Sequence, residues 1–143
     1  DQALLQLGGV LYRQQKYDEA LQRYDALLSQ YPQSPLTAVA NYHQGRTRFA
    51  KGDFAATVES CTRLLANQSA AELASQARYL RGLAQHRLGQ FQAALEDLSA
   101  FVAGQPPLTD AMDARYAMAL CRLELKQPEQ AAALIRPLLG GGP

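Results

Sequence analysis

The side chains that could act as nucleophiles, general bases or metal ligands are few and widely spaced. His43, His86, Cys61 and Cys121 are the main candidates. A catalytic nucleophile needs a base and an orienting group beside it, and no motif around either cysteine supplies them. The two histidines and two cysteines also lack the spacing of metal ligands. We therefore expect no catalytic residue, metal or cofactor, and we expect both thiols to be buried as small hydrophobic side chains.

The charge balance excludes two classes of partner. The 143 residues include 14 basic and 13 acidic side chains, which gives a net charge of +1. Non-specific nucleic-acid binders and polybasic membrane binders need a large positive excess. No apolar run approaches the roughly 20 residues of a membrane span. We expect neither nucleic-acid binding nor direct membrane insertion.

The elements that would have to position any functional side chain recur every 37 residues. The reference copy, Ala77 to Phe101, is predicted to be a helix, a break at Gly89 and a second helix. Self-similarity at a fixed period of roughly 20–50 residues is typical of stacked repeats. The matching first-helix residues are Ala40, Tyr42 and Gly45, then Ala77, Tyr79 and Gly82, then Ala114, Tyr116 and Ala119.

This period divides the chain into four predicted helix pairs, and no strand pattern is visible. The units cover about 1–33, 34–69, 70–106 and 108–140, with first helices predicted from Gln2 to about Gln14 and from Pro35 to Ala50. The predicted helix starts are Asp18 and Glu19 in a first turn, Ser34 as an N-cap, Asp53 as an N-cap, and Thr109 or Asp110 as an N-cap. The predicted stops are Gly52 and Gly89 as C-caps, and Pro137, which should kink or fray the last helix.

Two phases of the unit hold small side chains, as close contact between paired helices requires. They are Gly8, Gly45, Gly82 and Ala119 in the first helices, and Ala20, Thr57, Ala94 and Ala131 in the second. With the turn aromatics Tyr17, Phe54 and Phe91 and the terminal Pro32 and Pro106, this pattern resembles the tetratricopeptide repeat family. Pro128 and Ser69 depart from it. The resemblance implies an all-α, right-handed α-α superhelix of four antiparallel helix pairs, forming a single domain over residues 1–143.

The repeat length points to a subset of the family. The usual repeat has about 34 residues, whereas this one has 37. The longer repeat, the opening Ala40, Tyr42 and Gly45 of the first helix, and the connector from Tyr31 to Ser34 resemble bacterial cell-envelope members. Examples are the Tol-Pal coordinator and the outer-membrane assembly lipoprotein. This implies a periplasmic or outer-membrane-attached protein, with a cytoplasmic regulatory domain as the alternative. Because the chain starts at Asp1 inside a repeat, we interpret it as part of a larger protein or as a mature form.

The resemblance also implies a function, because first helices of this family line a concave groove that binds a peptide or protein. Tyrosine and arginine are enriched at such binding sites. A peptide with carboxylates and an apolar anchor would complement these two kinds of side chain. The tyrosines at one phase could equally recur because they pack helix against helix. The implied groove residues are Tyr12, Arg13, Tyr42, Arg46, Phe49, Gln76, Tyr79, Leu83, His86, Arg87, Asp113, Tyr116 and Leu120.

Two further surfaces leave alternatives open. An arginine row on the first helices is either a solvated face or a surface for an anionic partner; it comprises Arg48, Arg78, Arg81, Arg115 and Arg122. The last apolar stripe has no successor to cover it, so either more repeats follow in the full protein or the end helices associate two copies of the chain. This stripe comprises Leu134, Ile135, Leu138 and Leu139. Finally, the Lys and Asn that clamp chaperone tails in the resembled family are absent, which disfavours that partner.

Overall fold

The computed structural model describes residues 1–67 and 70–139. This part of the chain contains eight α-helices and no strand, which confirms the all-α prediction. The helices are α1 (Gln2–Arg13), α2 (Tyr17–Gln30), α3 (Thr37–Lys51), α4 (Phe54–Ala66), α5 (Ala71–Arg87), α6 (Phe91–Ala103), α7 (Leu108–Glu124) and α8 (Pro128–Ile135). None of these helices is both long enough and apolar enough to span a membrane.

The helices stack in sequence order. Each packs against the helix before it and the helix after it, and the first helices of successive pairs also touch: α1 contacts α3, α3 contacts α5, and α5 contacts α7. This arrangement is the predicted α-α superhelix, built mostly from local contacts. The first helices therefore lie side by side and form one continuous surface.

Small side chains allow the two helices of a pair to approach closely. A Cβ atom added at Gly8 would lie 2.7 Å from the Tyr24 Cζ atom, and one added at Gly82 would lie 2.8 Å from the Leu98 Cγ atom. At Gly45 the nearest atom is the Ser60 Cβ atom at 3.3 Å, followed by the Cys61 sulfur atom. The predicted close approach is confirmed. Its tightest contacts at Gly8 and Gly82 are with the side chain sixteen residues further along, rather than with the small residue of the second helix.

Several predicted helix ends are confirmed. Gly52 ends α3 in the left-handed conformation with φ of +84°, where a side chain would be strained. Asp53 caps α4 by accepting a hydrogen bond from the Ala56 backbone N–H at 3.3 Å. Asp18 lies in the first turn of α2, where the helix dipole favours its negative charge. Gly89 is also left-handed, but the C-cap of α5 is Leu88, so the predicted cap at Gly89 is one residue too late.

Two predicted N-caps are wrong. Helix α3 begins at Thr37, because Ser34 forms a turn before it and accepts a hydrogen bond from the Leu36 N–H at 3.0 Å. Helix α7 begins at Leu108, directly after the extended backbone of Pro107. Thr109 and Asp110 therefore lie inside the first turn of α7, where Asp110 favours the helix through its charge rather than as a cap.

The C-terminal end of the last pair follows its prediction. Helix α8 ends at Ile135, and the chain continues as a short 3₁₀ turn from Arg136 to Leu139 that contains Pro137. Leu134 is half-buried and packs against the core between α6 and α7. The side chains of Leu138 and Leu139, together with the departures from the family pattern at Ser69 and in the final glycines, lie outside the described residues.

Candidate functional site

The two cysteines are packing residues. Both are free thiols with almost no solvent exposure, which confirms the predicted burial. Burial raises the pKa of Cys61 to about 12 and that of Cys121 to about 11, so both thiols stay protonated at neutral pH. Since the thiolate is the reactive form, neither side chain is set up as a nucleophile.

The two histidines lie in different environments. The His43 ring stacks on Tyr24 with centroids 5.9 Å apart, whereas His86 is tilted against Phe91 at 5.8 Å. Burial, and secondarily the Arg46 charge, lowers the pKa of His43 to about 4, so this ring is neutral at physiological pH. Among the described residues, no group of three or more histidine, cysteine and acidic side chains could hold a metal ion.

The surface formed by the first helices contains an apolar cleft, which we call the central cleft, with a volume of about 470 Å³. It lies between α3, α5 and α7, and the α6–α7 connector and Phe101 of α6 close it on one side. The lining residues are Tyr42, Arg46, Ser75, Gln76, Tyr79, Leu80, Leu83, Phe101, Pro106, Pro107 and Asp110. Five of them, Tyr42, Arg46, Gln76, Tyr79 and Leu83, belong to the groove predicted from the sequence.

A second cavity, which we call the polar recess, lies beside the central cleft between α1 and α3. Its volume is about 530 Å³, and its lining residues are Gln6, Gly9, Val10, Arg13, His43 and Arg46. Arg46 lines both cavities. The two cavities therefore adjoin along this residue, and we call them together the groove.

Arg46 is held in place by an aromatic ring. Its guanidinium carbon lies 4.3 Å from the centre of the Tyr12 ring, which is favourable cation–π geometry. The Arg46 Nε atom is buried and has no hydrogen-bond partner within the described part of the chain. Arg46 also forms none of the ion pairs found among those residues. It is a positioned cation that no carboxylate of residues 1–67 and 70–139 pairs with.

The three tyrosines at the same repeat phase differ in burial. Tyr42 and Tyr79 are half-buried, and burial raises the pKa of both phenols. The Tyr79 ring packs against Phe101 with centroids 4.5 Å apart. Both tyrosines thus pack against the core and line the central cleft. Tyr116 is 59% exposed.

The remaining predicted groove residues fall into separate groups. Tyr12 and Arg13 are on the α1 side, where Arg13 lines the polar recess. Phe49 and Arg87 meet around Phe54 at the helix turns, the phenyl rings 5.2 Å apart and the guanidinium carbon 5.5 Å from the ring, and neither lines the central cleft. On α7, Asp113 is near enough to Tyr79 to influence its pKa, whereas Leu120 is half-buried and away from the cleft.

Sequence reasoning missed the cleft residues that lie outside the first-helix phases. Phe101 belongs to a second helix, and Pro106 and Pro107 belong to a connector. A rule based on first-helix positions cannot find them. The consecutive prolines were a usable signal, because they hold the connector extended beside α7.

Three arginines of the predicted row hydrogen-bond within their own helix pair. Arg48 donates to the Ser60 hydroxyl at 2.9 Å, Arg81 donates to Asp97, and Arg122 donates to the Gln127 side chain at 2.7 Å. Neither of the sequence-based alternatives, a solvated face or an anionic partner surface, describes these three residues. They connect first helices to second helices or to the start of the second helix.

Two family models, both described as tetratricopeptide repeat, match residues 1–67 and residues 42–109. A search of the curated proteins finds no significant match. Together the two family models cover the first three helix pairs.

Solved structures with a similar fold cover almost the whole chain. A crystal structure of MamA has a TM-score of 0.83 at 19% identity, covering 97% of this chain and 76% of that chain. The 41-end fragment of MamA from Desulfovibrio magneticus RS-1 has a TM-score of 0.82 at 20% identity, covering 96% of this chain and 72% of that one. At these identities the similarity shows the fold.

Proposed function

Residues 1–109 of the chain belong to the tetratricopeptide repeat family, and from this premise we propose that the protein is a non-catalytic scaffold that binds a segment of a partner protein in the groove. Domains of this architecture present an extended concave surface, and binding follows from contacts preformed in that surface. The side chains with catalytic potential support the same proposal, since both thiols are protonated and buried.

The observation that carries the proposal is the central cleft. Tyr79, Leu83 and Phe101 present apolar surface there, in a cavity of a size that receives one or two side chains. The groove lies mostly on helices rather than on loops. A partner segment would therefore bind without a large ordering cost on the side of this protein.

A blocking substitution at the edge of the cleft tests the proposal. Gln76 is exposed and lines the cleft, whereas Gln130 is an exposed glutamine on α8 that does not line it. Proteins of the source organism are captured on the wild-type chain, Gln76→Arg and Gln130→Arg. We expect one partner to bind the wild type and Gln130→Arg, to be lost with Gln76→Arg, and to be displaced by a peptide from its own sequence. Equal capture by all three chains contradicts groove binding.

We further propose that this scaffold acts in a bacterial cell-envelope assembly, in the periplasm or attached to the outer membrane. The support is the 37-residue period and the connector from Tyr31 to Ser34. Fractionation of cells that express the full-length gene product is the test. Recovery of the protein in the cytoplasmic fraction alone contradicts this location and favours a cytoplasmic regulatory role.

One observation favours a second candidate function, self-association. Leu108, Met112 and Tyr116 follow one another at four-residue spacing along α7, and all three are exposed. Residues four apart share a helix face, so they form an apolar stripe. Sedimentation over a range of concentrations distinguishes the candidates. A monomer at every concentration excludes the dimer, and a dimer lost with Tyr116→Glu supports it.

A further inference from the structure

The groove carries opposite charges at its two ends. Arg13 and Arg46 line the polar recess, and Asp110 lines the far side of the central cleft. Asp113 lies on the same helix as Asp110, and both carboxylates help to raise the pKa of Tyr79, so they are near its ring. Among the described residues, the ion pairs are Lys51–Asp18 and Arg81–Asp97, and none of the four groove charges takes part in them.

The positive end is the more strongly built of the two. Arg46 is partly buried and stacked on Tyr12, and its Nε atom lacks a partner within the described chain. The His43 Nδ1 atom in the same recess is also buried, and no described residue hydrogen-bonds to it. Because the Arg46 Nε–H group is buried without a partner among the described residues, a ligand carboxylate would satisfy it through charge-assisted hydrogen bonds.

The middle of the groove has different chemistry. On α5, between the α3 residue Arg46 and the α7 residue Asp110, the cleft is lined by Tyr79 and Leu83, and Tyr42 lines it from α3. An apolar or aromatic side chain would bury its surface against these residues. The groove therefore has three consecutive regions: a cationic region, an apolar region and an anionic region.

We propose that the groove selects an extended peptide segment with a carboxylate at the Arg46 end, a large apolar side chain in the central cleft, and a cationic side chain near Asp110 and Asp113. This inference rests on the proposed function and specifies its ligand. The spacing follows from the helices. Packed helices are about 10 Å apart, so the path from α3 past α5 to α7 spans about 20 Å, or roughly six extended residues.

The test uses capped probe peptides of about seven residues, with Asp at one end, Phe in the middle, Lys at the other end, and Gly and Ser between. Both chain directions are made, because either one can satisfy the three regions. Fluorescence anisotropy gives the Kd of each peptide for the wild-type chain. Replacing Asp by Asn, or Lys by Gln, should weaken binding about tenfold, since each removes a charge-assisted contact. A fourth peptide lacks the Asp side chain but has a free C-terminal carboxylate. Its Kd shows whether the carboxylate that binds near Arg46 belongs to a side chain or to a chain end.

A charge exchange at the positive end makes the test specific. Arg46→Glu should lose affinity for the Asp-bearing peptide about tenfold or more and regain it for a peptide with Lys in place of Asp. Arg78→Glu is the matched control, because Arg78 is exposed and lines neither cavity. Circular dichroism tests whether both variants are folded. If Arg46→Glu unfolds, Arg46→Gln replaces it, with an expected loss in the same direction.

The outcomes separate this inference from the proposed function. If the Asn and Gln peptides bind as tightly as the charged ones, the charge selection is wrong while the apolar cleft still binds a segment. If no probe binds but the peptide of the captured partner does, the proposed ligand chemistry is wrong and the scaffold function stands. If neither the probes nor any captured partner binds in the groove, both are wrong. If the peptide with the free C-terminal carboxylate binds as tightly as the Asp peptide, the carboxylate of the natural ligand is assigned to a chain end.

Discussion

Arg81 and Asp97 form a two-bond ion pair that connects α5 to α6, with Nε to Oδ2 at 2.6 Å and Nη2 to Oδ1 at 2.8 Å. The carboxylate side chain is only 9% exposed. One unit earlier the equivalent residues, Gln44 and Ser60, form a buried hydrogen bond at 3.1 Å. Equivalent positions of the repeat thus join the two helices of a pair in both units, through an ion pair in one unit and a neutral hydrogen bond in the other.

Removing the cation of this pair should destabilise the fold. Arg81→Ala leaves the Asp97 carboxylate largely buried and without its partner, which we expect to lower the free energy of unfolding by about 2–3 kcal/mol. Urea denaturation measures the change, with exposed Arg78→Ala as the control, expected within about 0.5 kcal/mol of wild type. A double-mutant cycle with Asp97→Ala should give a coupling of about 1 kcal/mol or more. A coupling near zero would show that the pair contributes through packing alone.

Two helical glycines should respond in opposite ways to alanine. At Gly82 a Cβ atom would lie 2.8 Å from the Leu98 Cγ atom, so Gly82→Ala should cost about 1–3 kcal/mol through overpacking. At Gly9 in α1, no atom lies within 4 Å of the added Cβ. Gly9→Ala should therefore stabilise the protein by up to about 1 kcal/mol through helix propensity. Thermal unfolding measures both; equal shifts would refute the close contact at Gly82.

The tyrosines at one repeat phase should differ in their contribution to stability. Tyr79 packs on Phe101 at 4.5 Å, and we expect Tyr79→Ala to lower the free energy of unfolding by about 2–3 kcal/mol through lost packing. Tyr116→Ala removes an exposed ring and should change it by less than about 0.5 kcal/mol. Chemical denaturation is the measurement. If Tyr116→Ala lowers the free energy of unfolding as much as Tyr79→Ala does, then Tyr116 contributes to packing despite its exposed ring.

His43 should make stability depend on pH. Its folded pKa of about 4 is below the ordinary 6.5, so the unfolded chain binds the proton first as pH falls. Stability is then lost from about pH 6.5 towards pH 4, by up to about 3 kcal/mol. Tyr24 and Tyr42 face the ring, and burial raises the pKa of both phenols, so neither titrates in this window; the cations beside the ring are Arg46 and Arg13.

A substitution isolates this effect. His43→Phe keeps an aromatic ring beside Tyr24 and removes the titrating group. The free energy of unfolding, measured by urea denaturation between pH 7 and pH 5, should fall less steeply in this variant than in the wild type. An identical slope in both proteins would assign the pH dependence to other groups.

Much of the fold follows from local patterns in the sequence. The 37-residue period, the left-handed stop at Gly52 and the N-cap at Asp53 depend on residues close together in the chain. The starts of α3 and α7 were not predicted correctly. A hydrogen-bonded turn at Ser34 delays the start of α3, and the extended backbone at Pro107 lets α7 begin earlier than expected. The residue types at these positions are compatible with more than one turn conformation, so the sequence does not show which conformation is the more stable.

The candidate site depends more on tertiary structure. By itself, the sequence determined the helix pairs and the phases at which Gly82 and Tyr79 recur, because periodicity and side-chain size are local properties. Only the tertiary structure decided that Tyr79 lines a cleft while Tyr116 is exposed. It also decided that Arg81 has an ion pair, whereas Arg46 forms none with the residues that the structure describes. The physical reason is that burial and charge neutralisation depend on which neighbouring helix packs against a residue, and residues at one repeat phase can have different neighbours.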